Sequence, residues 1–182
     1  MENNPALLLI DVQRGFDKTD YWGGQRNNPE AEQKIAHLLT AWRDRKLPVI
    51  HVKHDSVNPH SPLRPGQVGN QIRPEVFPNA DEVLFNKNVN SAFIGTSLES
   101  YLRQQHIEKL VICGMTTDHC ISTSVRMAAN LGFEVVVVDD ATATFDREYN
   151  DKKYRAEDIH KYHLMSLQNE FAQVVSVDQL IN

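Results

Sequence analysis

Three residues in this chain could carry nucleophilic chemistry together. Asp11, Lys87 and Cys120 follow the short apolar runs Ala6–Ile10, Glu82–Phe85 and Lys109–Cys113. A thiol beside a carboxylate can attack a carbonyl carbon, because the carboxylate takes the sulfur's proton as base and later returns it to a leaving group. Cys120 closes the polar stretch Gly114-Met-Thr-Thr-Asp-His-Cys120, where a loop is expected to turn into a helix. Free amides and the helix dipole would stabilise a thiolate there, and Lys87 is expected to lower the thiol pKa further. Main-chain amides of the same loop are natural donors to an oxyanion, since backbone donors cost no reorganisation during reaction. The chemistry so described is attack of sulfur on a carbonyl, a tetrahedral intermediate, an acyl-enzyme and then hydrolysis. Taken singly, each residue has an ordinary explanation: an acid capping a turn, a solvated lysine, a small buried thiol. Cys113, inside an apolar run, fits the last of these.

For these residues to meet, the elements before them must lie side by side. The unbroken apolar run Ala6–Ile10 reads as a strand buried on both faces, and Leu47–Val52, Glu82–Phe85, Lys109–Cys113, Glu134–Val138 and Val174–Val177 read as five further strands. Helical spacing occupies Pro29–Arg45, with Ile35, Leu38, Leu39 and Trp42 on one face. Thr96-Ser-Leu-Glu99 is expected to form a capping box for a helix to Gln105. Further helices are predicted from about Cys120 to Leu131, stopped by Gly132, and over His160–Glu170. The alternation predicts a Rossmann-like three-layer αβα sandwich around a central, mostly parallel six-stranded sheet. In such sheets ligands bind beyond the carboxyl ends of the strands, where Asp11, Lys87 and Cys120 fall. The proline- and glycine-rich stretch from Asp55 to Asn79 and the segment 143–160 are expected to shape the pocket.

Composition narrows the function classes. The chain has 182 residues, 41% hydrophobic and 24% charged, as expected of a single folded domain over 1–182 that needs no metal or disulfide staple. A formal charge of −5 offers no field for nucleic acid. Two cysteines suit a reducing compartment, and no apolar run reaches the length of a signal peptide or membrane span, so a cytoplasmic location without membrane partners is expected.

The motifs Leu8-Leu-Ile-Asp-Val-Gln13 with Phe16, Asn86-Lys-Asn-Val-Asn-Ser-Ala-Phe93 and Val111-Ile-Cys-Gly-Met-Thr-Thr-Asp-His-Cys120 resemble those of the isochorismatase-like cysteine hydrolases. Ala128-Ala-Asn-Leu-Gly-Phe-Glu-Val135 and Val138-Asp-Asp-Ala141 continue the likeness, which runs from Ala6 to Val177. The resemblance implies a triad of Asp11, Lys87 and Cys120, an oxyanion hole from the amides of Thr116 and Cys120, and a non-proline cis peptide at Met115–Thr116. It also implies a pocket that includes Gln13, Phe16, Trp22, Phe93, Met115 and His119, no cofactor, a small-molecule substrate and a homo-oligomer of two or more chains. Members that cleave a vinyl ether do not need the thiol, so Cys120 favours hydrolysis of a C–N bond in an amide, carbamoyl or ureido group. Vinyl-ether hydrolysis and a non-catalytic, redox-sensing protein of the same fold are the alternatives. Nicotinamidases in the family bind a metal through an Asp-x-His pair and a later histidine. Here the corresponding stretch holds His51, His54, Asp55 and His60, with Ser56 about where a ligand is expected, so no metal is predicted.

Overall fold

The computed structural model describes residues 4–181. Six parallel strands form one sheet: β1 (Ala6–Ile10), β2 (Val49–His54), β3 (Val83–Lys87), β4 (Lys109–Met115), β5 (Glu134–Ala143) and β8 (Gln173–Val175). Their spatial order is β3-β2-β1-β4-β5-β8. The helices are α1 (Thr19–Trp22), α2 (Ala31–Asp44), α3 (Leu98–Gln104), α4 (Ser122–Asn130), α5 (Ala156–Leu167) and α6 (Val177–Ile181), and β6 (Arg147–Tyr149) pairs with β7 (Lys152–Tyr154) as a small hairpin.

The period-2 alternation of side chains sorts the apolar runs into two cores. Leu7 and Leu9 of β1, with Val111 and Cys113 of β4 and Val136 of β5, pack under Ile35, Leu38, Leu39 and Trp42 of α2. Leu8, Ile10, Ile50, Ile112 and Val137 face the opposite way, against α3, α4 and α5. The result is the expected three-layer αβα sandwich, and burial on both faces explains why these strands read as continuous apolar runs rather than alternating ones. Strand order reverses between β1 and β4, so the crevice for a ligand opens beyond Ile10 and Met115.

Several local expectations are corrected. Thr96 and Glu99 do not form a capping box: the Thr96 hydroxyl donates to Ala92 O at 2.6 Å, and Ser97 takes the N-cap position. α5 begins at Ala156 and ends at Leu167, because Asp146 Oδ1 accepts from the Ala156 amide at 2.8 Å and starts the helix a turn before His160. Val177 belongs to α6 rather than the last strand; Asp140 Oδ1 takes its amide at 2.9 Å and turns the chain out of the sheet. The helix expected from Cys120 is entered through a single π turn, Thr117–Ile121, and α4 proper starts at Ser122.

Gly114 governs how closely β1 and β4 approach. It has φ +125°, at the register shift in β4 opposite β5, and a Cβ placed there would lie 1.9 Å from Ile10 O. Gly114→Ala is therefore expected to destabilise the fold by about 2–4 kcal/mol, from backbone strain plus overpacking, measured as a lowered denaturation midpoint at unchanged slope.

Candidate active site

Each of the three candidate residues arrives from a different strand end. Asp11 follows β1 in a left-handed conformation, φ 56°, which a short polar side chain tolerates best. Its amide donates to Val52 O at 2.8 Å, which fixes the turn. Lys87 is the last residue of β3 rather than a residue beyond it. Cys120 sits inside the π turn, which extra ring length makes wider than an α turn. All three are buried.

Lys87 is the hub. Its Nζ lies 2.7 Å from Asp11 Oδ2, 3.2 Å from Cys120 Sγ, 2.9 Å from His54 Nδ1 and 3.2 Å from Val89 O. Burial works against its charge and the adjacent Asp11 carboxylate favours it; the net direction is above the usual lysine value, so it stays an ammonium. Asp11 Oδ1 is buried without a hydrogen-bond partner among the described residues. One carboxylate oxygen is thus tied to Lys87 and the other is free to receive a proton.

The sequence reading expects a depressed thiol pKa at Cys120; the structure reverses the direction. Burial, and then the adjacent Asp11 carboxylate, push the thiol well above its ordinary range, and Lys87 offsets only part of this. Ionising the sulfur would place a second anion beside Asp11 at a buried position. The resting state is therefore a protonated thiol next to a carboxylate and ammonium pair.

A cavity of about 150 Å³ opens over this group. Asp11, Thr116 and Cys120 line it, together with Phe16, Tyr21 and Trp22. Phe16 and Trp22 stack at 4.7 Å between centroids, with Tyr21 edge-on to Trp22 at 4.8 Å. His54, Ser56, Ser61 and Leu63, from the end of β2 and the long loop, line the cavity as well, with Asn90 and His119. The Met115–Thr116 peptide is cis. Thr116 O accepts from the amides of His119 and Ile121 at 3.1 and 3.2 Å, which closes the turn around Cys120.

Three residues expected in the pocket lie outside its lining. Gln13 is buried and pins the chain beneath: its side-chain amide donates to His54 O at 3.0 Å and Asn70 O at 2.9 Å, and its oxygen accepts from the His54 amide at 2.9 Å. Phe93 stacks on Phe133 at 6.1 Å in the core below α3 and α4. Met115 lies under the site in a small cluster with Phe16, Leu63 and Phe145. Ser56, Ser61 and Leu63 come from the Asp55–Asn79 loop expected to shape the pocket, whereas His54 and Asn90 are additions to the residues expected there. Asn70 holds that loop in place, its side-chain amide donating to His54 O, Asp55 Oδ1 and Leu63 O.

The metal-ligating types of the β2 region do not converge. His51 Nε2 meets Glu82 at 2.9 Å, Asp55 pairs with Lys53 at 3.1 Å, and His60 is exposed. Asp11, His54 and Cys120 do come within 4.8 Å of one another, but Lys87 Nζ bonds all three and supplies positive charge at their centre. An ion at that point would have to displace the ammonium.

Arg147 of β6 ties the aromatic wall to the cysteine turn. It donates to Asp118 Oδ2 at 2.7 Å through Nε and to Trp22 O at 2.7 Å through Nη1. Burial opposes ionisation of Asp118, yet Arg147, His119 and the Thr144 hydroxyl hold its pKa down at about 2. A carboxyl depressed in the folded state contributes stability that is present above its unfolded pKa and lost as pH falls toward the folded value. Asp118→Asn is expected to cost about 1–3 kcal/mol at pH 7, and the gap from wild type should close between about pH 4 and pH 2, as read from urea unfolding across that range.

Comparison with known proteins now gives the class. The isochorismatase domain model matches residues 5–179, and the chain belongs to the isochorismatase family of hydrolases. An uncharacterized isochorismatase family protein of Bacillus subtilis (strain 168), YrdC, is 45% identical over all of this chain and 97% of its own length. A crystal structure described as a hydrolase of the same family from Chromobacterium violaceum superposes with a TM-score of 0.94 at 43% identity, over 99% of this chain and 93% of that one. The maleamate amidohydrolase of Pseudomonas putida is 29% identical over 94% of this chain and 83% of its own.

Proposed function

We propose that this hydrolase cleaves a carbon–nitrogen bond in a small amide, carbamoyl or ureido substrate, with Cys120 as nucleophile, Asp11 as proton carrier and Lys87 as the fixed charge between them. The observation that carries the reading is the placement of Lys87 Nζ between Asp11 Oδ2 and Cys120 Sγ at the floor of the cavity. As Cys120 Sγ bonds to the carbonyl carbon, its proton passes to Asp11 Oδ1, the unpartnered oxygen. The carbonyl oxygen becomes an oxyanion held by the amides of Thr116 and Cys120. Collapse of the tetrahedral intermediate breaks the C–N bond, and Asp11 returns the proton to the departing amine. Asp11 then takes a proton from water, which attacks the thioester carbon; the acid leaves and the thiol regains its proton.

A protonated resting thiol suits this sequence, because sulfur becomes anionic only as it bonds to carbon and Asp11 is neutralised in the same step. The family's named amidohydrolase relative supports the bond class. The test is release of ammonia or free acid across a panel of amides, carbamoyl amines, ureido acids and nicotinamide, with Cys120→Ala as the blank. Turnover of one class that disappears in the variant is the expected result, and equal release by both proteins would overturn the reading.

A further inference from the structure

His54 is the cavity residue whose protonation the structure defines most closely. Its Nδ1 lies 2.9 Å from Lys87 Nζ, and an ammonium can only donate, so Nδ1 must accept. An imidazole that accepts at Nδ1 is uncharged and carries its proton on Nε2. Burial first, and the Lys87 charge second, draw its pKa below the ordinary histidine value, in the same direction. Nε2 has no partner among the hydrogen bonds of the described residues, yet it is not among their buried, unsatisfied atoms. His54 lines the cavity and this N–H is not buried, which makes it available to a bound molecule.

The rest of the lining fixes the charge that the cavity accepts. No lysine or arginine lines it among the described residues. The ammonium below is already committed to Asp11, Cys120 and His54. His119 is exposed and turned toward Asp118, its Nε2 3.5 Å from Oδ2. The Ser56 and Ser61 hydroxyl oxygens accept from the Asn58 and Leu63 amides, which leaves their O–H groups as donors. The lining therefore offers neutral donors and aromatic surface, and its carboxylate, Asp11, is already paired with Lys87. A carboxylate entering here would lose its water and find no cation that is not already paired.

We propose that His54, as a neutral Nε2–H donor, grips an acceptor atom of the substrate, and that the site takes uncharged amides and rejects anionic ones. This rests on Cys120 being the nucleophile, and it names the substrate class for that same site.

The test uses two reagents of nearly equal shape that differ in charge, iodoacetamide and iodoacetate. Each forms a bond from sulfur to its methylene carbon with loss of iodide, the thiol proton leaving through Asp11 or solvent. Alkylation rates at the Cys120 peptide are followed by mass spectrometry and divided by the rates for glutathione in the same buffer. Wild type should favour iodoacetamide over iodoacetate by about tenfold or more. His54→Phe, which removes the donor, should slow iodoacetamide about five- to tenfold and leave iodoacetate unchanged. His54→Gln, which can accept from Lys87 and still donate into the cavity, should restore the preference. A changed thiol pKa or a loosened fold would move both reagents together and leave the ratio alone. A wild-type ratio near one, or a ratio untouched by His54→Phe, overturns the role of His54 while Cys120 remains the nucleophile. If neither reagent modifies Cys120, the proposed function falls, and this inference with it.

Discussion

Cys120→Ala should abolish turnover while leaving a folded protein. Removing a nucleophile from a unit of this kind costs roughly 10⁴- to 10⁶-fold in kcat, because no other group can form the covalent bond. The nearest alternative thiol, Cys113, is fully buried between β4 and α2, and burial pushes it far above the ordinary thiol range. The same substitution deletes a side chain of 8% exposure from the edge of the core, so about 1 kcal/mol of stability is at stake. Ammonia release and a denaturation curve on the same preparation separate the two effects. A variant that melts like wild type and hydrolyses nothing is the expected outcome.

Asp11→Asn is expected to fail in two ways at once. The amide cannot take the thiol proton, which should lower kcat by about 10²- to 10⁴-fold. It also leaves the Lys87 ammonium buried without its anion, a change that typically costs about 3–5 kcal/mol. Asparagine is the appropriate replacement because it tolerates the φ of 56° at this position, so the loss reports charge rather than backbone strain. The double variant Asp11→Asn/Lys87→Met removes both charges and should recover much of the stability while staying inactive. Urea unfolding of the wild type, both single variants and the pair closes the cycle. If the double variant were no more stable than Asp11→Asn, the ion pair would not be what holds this floor together.

Much of the scaffold was legible because it obeys a short-range rule. Strands buried on both faces must be apolar throughout, so Ala6–Ile10 and Lys109–Cys113 declared themselves, and a parallel sheet then put the residues after them on one edge. Asp11, Lys87 and Cys120 followed from that geometry. What the residues alone did not give depends on contacts distant in the chain. Asp146 starts α5 from ten residues away, and Asp140 turns Val177 out of the sheet from 37 residues away. Gln13 stands two residues after Asp11 and reads as part of the same site, but it points into the seam between β1 and β2 and braces it. The thiol pKa departs from the expected direction for a related reason. Lys87 does lower it, as its charge in the sequence implies, but the depth of burial and the adjacent carboxylate, which outweigh it, emerge only when the strands assemble.

The role of His54 has the same origin. In the sequence it is one of four acid and histidine residues near the end of β2, with nothing to set it apart. Only the close approach of β2 and β3, which pairs His54 with Lys87 in register, turns it into a neutral donor facing the cavity.

The most direct measurement of the central claim is acid quenching during turnover of the best amide from the screen, followed by mass spectrometry of the peptide that contains Cys120. A mass increase equal to the substrate's acyl group, present during turnover and absent from Cys120→Ala, is the predicted result. Hydrolysis that continues in Cys120→Ala, with no acyl mass on the wild-type peptide, would contradict it.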